Sequence, residues 1–114
     1  MADRMRKVDE AVREVVSDSL PELKDPRIGF VTVTRVHTSR DLRYATVFVS
    51  VLGSERKREK ALDGLAAAHG LLQGRIARQL RLKHTPTLTF EYDPSVAEGV
   101  RMSKLIDELD PDDN

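Results

Sequence analysis

The spacing of apolar residues changes several times along this chain of 114 residues. Between Met5 and Leu20 they recur every three or four positions, which predicts an amphipathic helix that Pro21 ends. Residues 44–51 alternate instead, which predicts a strand whose buried face carries Ala45, Val47, Val49 and Val51. A chain that switches between these two periods must pack helices against a sheet.

A second strand is expected just before residues 44–51. Residues 30–36 are dense in β-branched side chains, and the polar link at residues 38–41 is short enough for a hairpin. Residues 24–27 contain Pro26 and are typical of a turn. We therefore expect a turn followed by an antiparallel pair of strands.

Helical spacing returns after the hairpin, on a stripe formed by Leu62, Leu65, His69, Leu72, Ile76 and Leu80. Gly70 and Gly74 interrupt this region, and we expect two helices that meet near Gly70. Residues 87–92 alternate as a third strand. Ser95 with Glu98 fits a capping box, and a last helix is expected up to Leu109.

The predicted fold is thus α+β, with helices packed on one three-stranded sheet in the order αββααβα. Hydrophobic residues make up 39% of the chain, enough for one core but not for two domains of half this length. We expect a single domain over residues 1–109. Residues 110–114 are acidic and offer no apolar anchor, so we expect a flexible tail that either competes weakly with an anionic partner or only aids solubility.

Residue content excludes several classes of protein. The chain has no cysteine, which rules out a disulfide framework and a thiolate metal site. Its longest apolar run, residues 65–68, is far shorter than the roughly 18 residues of a membrane span. The first residues lack the apolar stretch of a signal peptide. We therefore expect no membrane partner and a cytoplasmic location.

No catalytic constellation is visible. The chain has three histidines, none at a metal-ligand spacing from another: His37, His69 and His84. Ser39 with Asp41, and Asp93 with Ser95, are typical of turns and caps. Phosphate-binding and dinucleotide-binding glycine loops are absent from the sequence. The sequence predicts no enzyme, no catalytic or metal-binding residue and no cofactor.

The net charge of zero hides an asymmetry. Residues 1–93 carry a net charge of +4 and residues 94–114 a net charge of −4. No acid occurs between Gly64 and Phe90, a span that contains Arg75, Arg78, Arg81 and Lys83. This cluster predicts contacts with the phosphates of a nucleic acid. A second basic group lies at the start of the first helix and consists of Arg4, Arg6 and Lys7. This group is either a further phosphate contact or an ordinary solvated surface.

Several short segments, in their order and spacing, resemble the ribosome-binding factor A family of bacterial small-subunit assembly factors. They are Asp25-Pro26-Arg27, Ser39-Arg40-Asp41-Leu42, Ala45, Ala68-His69-Gly70 and a run from Arg81 through Pro86, Leu88, Phe90 and Asp93 to Ser95. The resemblance covers about residues 4–109 and implies a fold similar to a type II KH domain. No two glycines stand three apart, so the GxxG loop of ordinary KH domains is absent. Ala68, His69 and Gly70 look like the AxG helix kink of the family, and we expect Gly70 to be a backbone requirement.

The resemblance also implies a function. It implies an RNA-binding ribosome biogenesis factor, a monomer when free, that binds the free small (30S) subunit. There it would assist late maturation of 16S rRNA and the processing of its 5′ end, with greater need at low temperature. Ribosomal proteins are further possible partners. The alternative is a protein-interaction module that docks a ribosomal protein through an edge of its sheet.

Overall fold

The structure is a computed structural model, and it describes residues 2–96 of the chain. Three α-helices, a short 3-10 turn and three strands follow one another in this part. Their bounds are α1 Ala2–Ser19, the 3-10 turn Leu20–Glu22, β1 Val31–Thr38, β2 Tyr44–Val51, α2 Glu55–Ala67, α3 His69–Gln79 and β3 Thr87–Tyr92.

The predicted α+β order is confirmed from α1 to β3. The strands at residues 44–51 and 87–92 have the predicted bounds. β1 begins and ends later than predicted, because its pairing with β2 continues as far as Thr38. The predicted last helix, apart from its first residues Ser95 and Val96, and the predicted tail at residues 110–114 lie outside the described residues.

The sheet has the order β1-β2-β3, so β2 is the central strand. β1 runs antiparallel to β2, with Thr38 paired to Ala45 next to the hairpin loop. β3 runs parallel to β2, with Thr87 paired to Tyr44. A parallel pair needs a long crossover connection, and α2 with α3 supply it across one face of the sheet.

The core lies between that face and the helices. β2 contributes alternate residues, and Val47 and Val49 are completely buried. The helices contribute residues from the predicted stripes: Val12, Val15, Val16, Leu65, Leu72 and Ile76. His69 is an exception to its stripe, since it is exposed and its Nδ1 lies 2.7 Å from the carbonyl oxygen of Ala66.

The helical region breaks at Ala68, whose φ of −89° and ψ of 2° end α2 and begin α3. Gly70 lies in the first turn of α3 and is exposed. A Cβ built at Gly70 meets no atom within 4 Å, and its φ is not in the left-handed region. The expectation that Gly70 is a backbone requirement is therefore wrong, because the space and the conformation there suit any residue.

Gly64 is the glycine that close packing requires. It is buried in α2, beside the turn that leads into β1. A Cβ at Gly64 lies only 2.8 Å from Cγ1 of Ile28 and 3.3 Å from Oδ2 of Asp25. Ile28 is itself buried, and the atom in the way is not the end of its side chain, so relief requires the whole side chain to shift. The missing side chain at Gly64 thus lets α2 rest on residues 25–28.

A β-bulge in β1 fastens the two edge strands together. The register of β1 on β2 shifts between Val33 and Arg35, so Thr34 is the extra residue. The Thr34 hydroxyl donates to Oδ2 of Asp93, which follows β3, at 2.7 Å. The nearly buried carboxylate also accepts from the backbone N–H of Ser95 at 3.0 Å. These donors, led by Thr34, lower the pKa of Asp93 from 3.8 to about 2.

We predict that Gly64→Ala destabilises the fold and Gly70→Ala does not. The collision at residue 64 costs about 1–3 kcal/mol, which outweighs the roughly 0.5–1 kcal/mol that Ala gains over Gly in a helix. Gly70→Ala receives the same gain without a collision. Urea unfolding of both variants measures the difference, and equal midpoints would contradict the packing described for Gly64.

We predict that Asp93 makes folding depend on acidity. Because its pKa is lower in the folded chain, its ionised form stabilises the fold above about pH 4, and this contribution disappears as the pH falls towards 2. Asp93→Asn lacks that charge at every pH. The urea midpoints of the parent and Asp93→Asn should therefore differ most near neutral pH and converge in acid. A difference that stays constant over this range would show that the charge of the Asp93 carboxylate does not stabilise the fold.

Candidate nucleic-acid interface

Four chain segments meet at the hairpin end of the sheet. The backbone N–H of Thr87 donates to the carbonyl of Arg43 at 2.8 Å, which brings the α3–β3 link to the hairpin loop. The backbone N–H of Thr38 donates to Oδ1 of Asp9 at 2.8 Å, which brings the first half of α1 to the same place. The backbone N–H of Leu88 donates to Oε1 of Gln73 at 2.9 Å, which brings the middle of α3 against the start of β3. We call the hairpin end of the sheet the basic end, defined by Arg4, Arg6, Lys7, Arg40, Arg43, Arg78, Arg81 and Lys83.

Arg81 and Lys83 point outwards because their neighbours point inwards. α3 ends at Gln79, and Leu80 has extended backbone with φ −113° and ψ 126°. Leu80 and Leu82 pack against the core, whereas the alternate residues Arg81 and Lys83 are exposed. Arg81 was expected near the end of the basic helix, and it lies instead in the link beyond α3. Its side chain is nevertheless presented by a segment that the core holds in place.

The hairpin loop is held by its own polar side chains. The hydroxyl of Ser39 donates to Oδ1 of Asp41 at 2.6 Å, and the same oxygen accepts from the backbone N–H of Arg43. Leu42 adopts a left-handed conformation with φ 62°, which closes the loop. The donors, led by Ser39, lower the pKa of Asp41. The turn chemistry predicted for Ser39 and Asp41 is therefore present, and it fixes the loop that carries Arg40 and Arg43.

Arg75 is placed differently from the rest of the predicted basic cluster. Its guanidinium forms an ion pair with Glu22, in the 3-10 turn after α1, and only 24% of its side chain is exposed. Glu22 lies 53 residues earlier in the chain. Arg75 therefore has an acidic partner in the fold, although no acid is near it in the sequence. The ion pair joins α3 to the end of α1 and occupies the group that was expected to contact phosphate.

The other predicted residues are exposed. Arg78 lies in the last turn of α3, where a cation is favourable next to the helix carboxyl end. Arg4, Arg6 and Lys7 lie in the first two turns of α1, and Arg6 approaches Asp3 at 3.8 Å. Arg4 to Lys7 precede Asp9, which bonds Thr38 beside the hairpin loop, and Lys83 lies in the link that leads to Thr87, which bonds Arg43 of that loop.

Sequence reasoning missed Arg40 and Arg43. Arg40 is predicted only as part of the hairpin link at residues 38–41, and Arg43 is assigned no role, because nothing local indicates which other segments surround that turn. The parallel pairing of Thr87 with Tyr44 is the information that places them beside Arg81 and Lys83. A prediction of that pairing from sequence would have added them.

The alternative of docking through a sheet edge is weakened by two hydrogen bonds. Each edge strand gives a backbone N–H to a side chain: Thr38 of β1 to Asp9, and Leu88 of β3 to Oε1 of Gln73 at 2.9 Å. Those donors are not available to an added strand. The side chain of Gln73 thus supports β3.

Two further features bear on the kind of site. Within residues 2–96 no helix is long and apolar enough to cross a membrane. Over the same residues, His, Asp and Glu side chains form no group of three or more that could hold a metal ion.

A three-stranded sheet with helices on one face, and a helix break at Ala68 where KH domains carry a GxxG loop, defines a type II KH-like domain. A family model described as ribosome-binding factor A matches residues 4–106. The chain belongs to this family, which confirms the resemblance found in the sequence.

Solved structures are similar over most of the chain. The crystal structure of ribosome-binding factor A from Thermus thermophilus has a TM-score of 0.70 and 27% identity, covering 77% of this chain and 94% of that chain. A Thermotoga maritima protein named as a candidate ribosome binding factor A, solved by NMR in solution, has a TM-score of 0.73 and 35% identity, covering 80% and 88%. A homology model of the Thermus thermophilus factor, fitted into the cryo-EM map of its 30S complex, has a TM-score of 0.63 and 28% identity, covering 75% and 91%.

Proposed function

We propose that this protein binds the free small (30S) ribosomal subunit and assists late maturation of 16S rRNA, including processing of its 5′ end, without itself catalysing a reaction. The observation that carries the proposal is the basic end, in which four chain segments present arginines and lysines to solvent at one end of a sheet. Membership of the ribosome-binding factor A family supports it. The Thermus thermophilus relative that was fitted into a map of its 30S complex supports the small subunit as the partner.

The contacts proposed are those of guanidinium and ammonium groups with rRNA phosphates. Arginine and lysine bind phosphate by charge-assisted hydrogen bonds, and each contact releases counterions from the RNA. At the basic end two of the acids accept hydrogen bonds within the protein. Asp41 accepts from Ser39 and Arg43, and Asp9 accepts from Thr38. Among residues 2–96 no acid forms an ion pair with Arg40, Arg81 or Lys83, and we propose that rRNA phosphates meet their positive charge.

The same features explain how binding assists maturation. Arg81 and Lys83 are fixed by the packing of Leu80 and Leu82, and Arg43 by the hairpin loop. A fixed set of cations binds best to one arrangement of the phosphates around it. Differential binding then shifts the population of rRNA conformations towards that arrangement, with no chemical step by the protein.

We predict that Arg81→Ala with Lys83→Ala weakens binding to isolated small subunits and makes it less dependent on salt. If each side chain neutralises about one phosphate, the slope of log affinity against log salt falls by about two. The core is unaffected, because both side chains are exposed. Binding of labelled protein to purified small subunits over a range of salt concentrations measures both quantities.

The matched control is Arg56→Ala with Lys60→Ala, which removes the same charge from exposed positions on α2. We expect a smaller loss of affinity and a smaller change of slope from this pair. Equal effects of the two pairs would mean that binding follows total charge and not the basic end. An unchanged affinity in the folded Arg81 and Lys83 double variant would remove these residues from the interface.

A further inference from the structure

The face of the sheet opposite the helices carries an unusual set of side chains. On β2 this face presents Tyr44, Thr46 and Phe48, and across from them stand residues of both edge strands. Tyr44 is 62% exposed, although it lies on the central strand. An aromatic ring in that position offers an exposed flat surface.

Tyr44 also stands at the border of the basic end. It is the first residue of β2, it follows Arg43, and its partner in the sheet is Thr87. The carboxylate of Asp41 near this border is occupied by Ser39 and by the backbone of Arg43. The negative charge of this carboxylate is balanced by Arg43, whose Nε lies 3.8 Å from Oδ2 of Asp41, so a polyanion held at the basic end meets Tyr44 without strong repulsion.

A second flat group lies further along the same face. The guanidinium of Arg35 is stacked over the ring of Phe48, 3.9 Å from its centroid, and its Nε lies 3.8 Å from Oδ2 of Asp93. These contacts hold one side of the guanidinium plane, while 64% of the side chain is exposed. Phe48 is four residues after Tyr44, a distance of about 13 Å along the strand.

The remaining groups on this face are short and polar. Thr46 and Thr89 lie in one row across β2 and β3, with their hydroxyl oxygens 3.5 Å apart, and His37 is the residue opposite Thr46 on β1. Hydroxyls donate and accept hydrogen bonds with base edges and with the RNA 2′-hydroxyl. Glu91, opposite Phe48, is an exposed acid on this face, and it lies at the end away from Tyr44.

Flat exposed groups beside cations are the features with which proteins bind unpaired bases. Aromatic rings and arginine planes stack on bases of single strands, whereas a duplex keeps its bases stacked on one another. We propose that an unpaired stretch of RNA runs from the basic end onto the open face of the sheet, where one base stacks on Tyr44 and a second on the guanidinium of Arg35. This inference rests on the proposed function and gives its ligand a chemical class, single-stranded RNA.

Intrinsic fluorescence tests the stacking directly. The chain has two tyrosines and no tryptophan. In a Tyr92→Phe variant, Tyr44 is therefore the one remaining tyrosine, and its emission can be followed alone. A single-stranded RNA of about ten nucleotides should quench this emission on binding. The same RNA with abasic residues keeps its phosphates and should bind without quenching. Equal emission changes with both RNAs would overturn the proposal.

A pair of variants tests the energetic part. Tyr44→Phe keeps the ring and should bind single-stranded RNA within about twofold of the parent, whereas Tyr44→Leu should bind about tenfold more weakly. Neither change should affect binding to an RNA duplex of equal charge. Because Tyr44 is exposed, both variants should melt like the parent. Equal affinities of the two variants for single-stranded RNA would refute stacking at Tyr44.

The Arg81 and Lys83 double variant separates this proposal from the proposed function. It should weaken both single-stranded and duplex RNA, since both carry phosphates. If it does so while Tyr44→Leu changes neither, the basic end stands and the stacking surface falls. If Tyr44→Leu weakens binding to small subunits but not to single-stranded RNA, Tyr44 contacts a protein and the proposal is wrong.

Discussion

The parallel pairing of β3 with β2 determines the arrangement of the rest of the molecule. Because Thr87 must lie beside Tyr44, the chain needs a crossover, and α2 and α3 form it over one face of the sheet. The same pairing brings the link after α3 to the hairpin loop, so that residues 40–43 and 81–83 share one end. Because α2 and α3 cover one face of the sheet, the opposite face is free of these two helices. The basic end and the open face are thus consequences of a single register.

Much of the fold is readable from local spacing. The alternation at residues 44–51 predicts both the strand and its buried face, because a central strand covered on one side has to obey a period of two. The contacts between distant segments are not readable in this way. Glu22 and Arg75 are 53 residues apart, and only the packing of α3 against the end of α1 brings them together. The two glycines show the same limit: Gly70 and Gly64 look alike in a helical pattern, and only the position of Ile28 distinguishes them.

The charges of the candidate interface also combine features that the local sequence reveals with contacts that only the fold reveals. The density of cations at residues 75–83 and 4–7 is visible in the sequence, whereas their ion-pair partners depend on contacts between distant segments. In the structure Arg75 forms an ion pair with Glu22, whereas Arg78, Arg81 and Lys83 are exposed. The hairpin adds two more exposed cations, Arg40 and Arg43. Asp9 and Asp41 at that end accept from backbone or hydroxyl donors. A protein of zero net charge offers a local positive surface there, because many of its acids lie elsewhere in the chain.

The central claim is that the free small subunit is the partner, and sedimentation of a lysate from cells that produce this protein tests it most directly. Ribosomal particles are separated on a gradient, and the protein is detected in each fraction. The account predicts that the protein moves with free small subunits and is absent from translating ribosomes, and that raised salt returns it to the top of the gradient. Migration only as free protein at low salt, or equal presence in translating ribosomes, would contradict it.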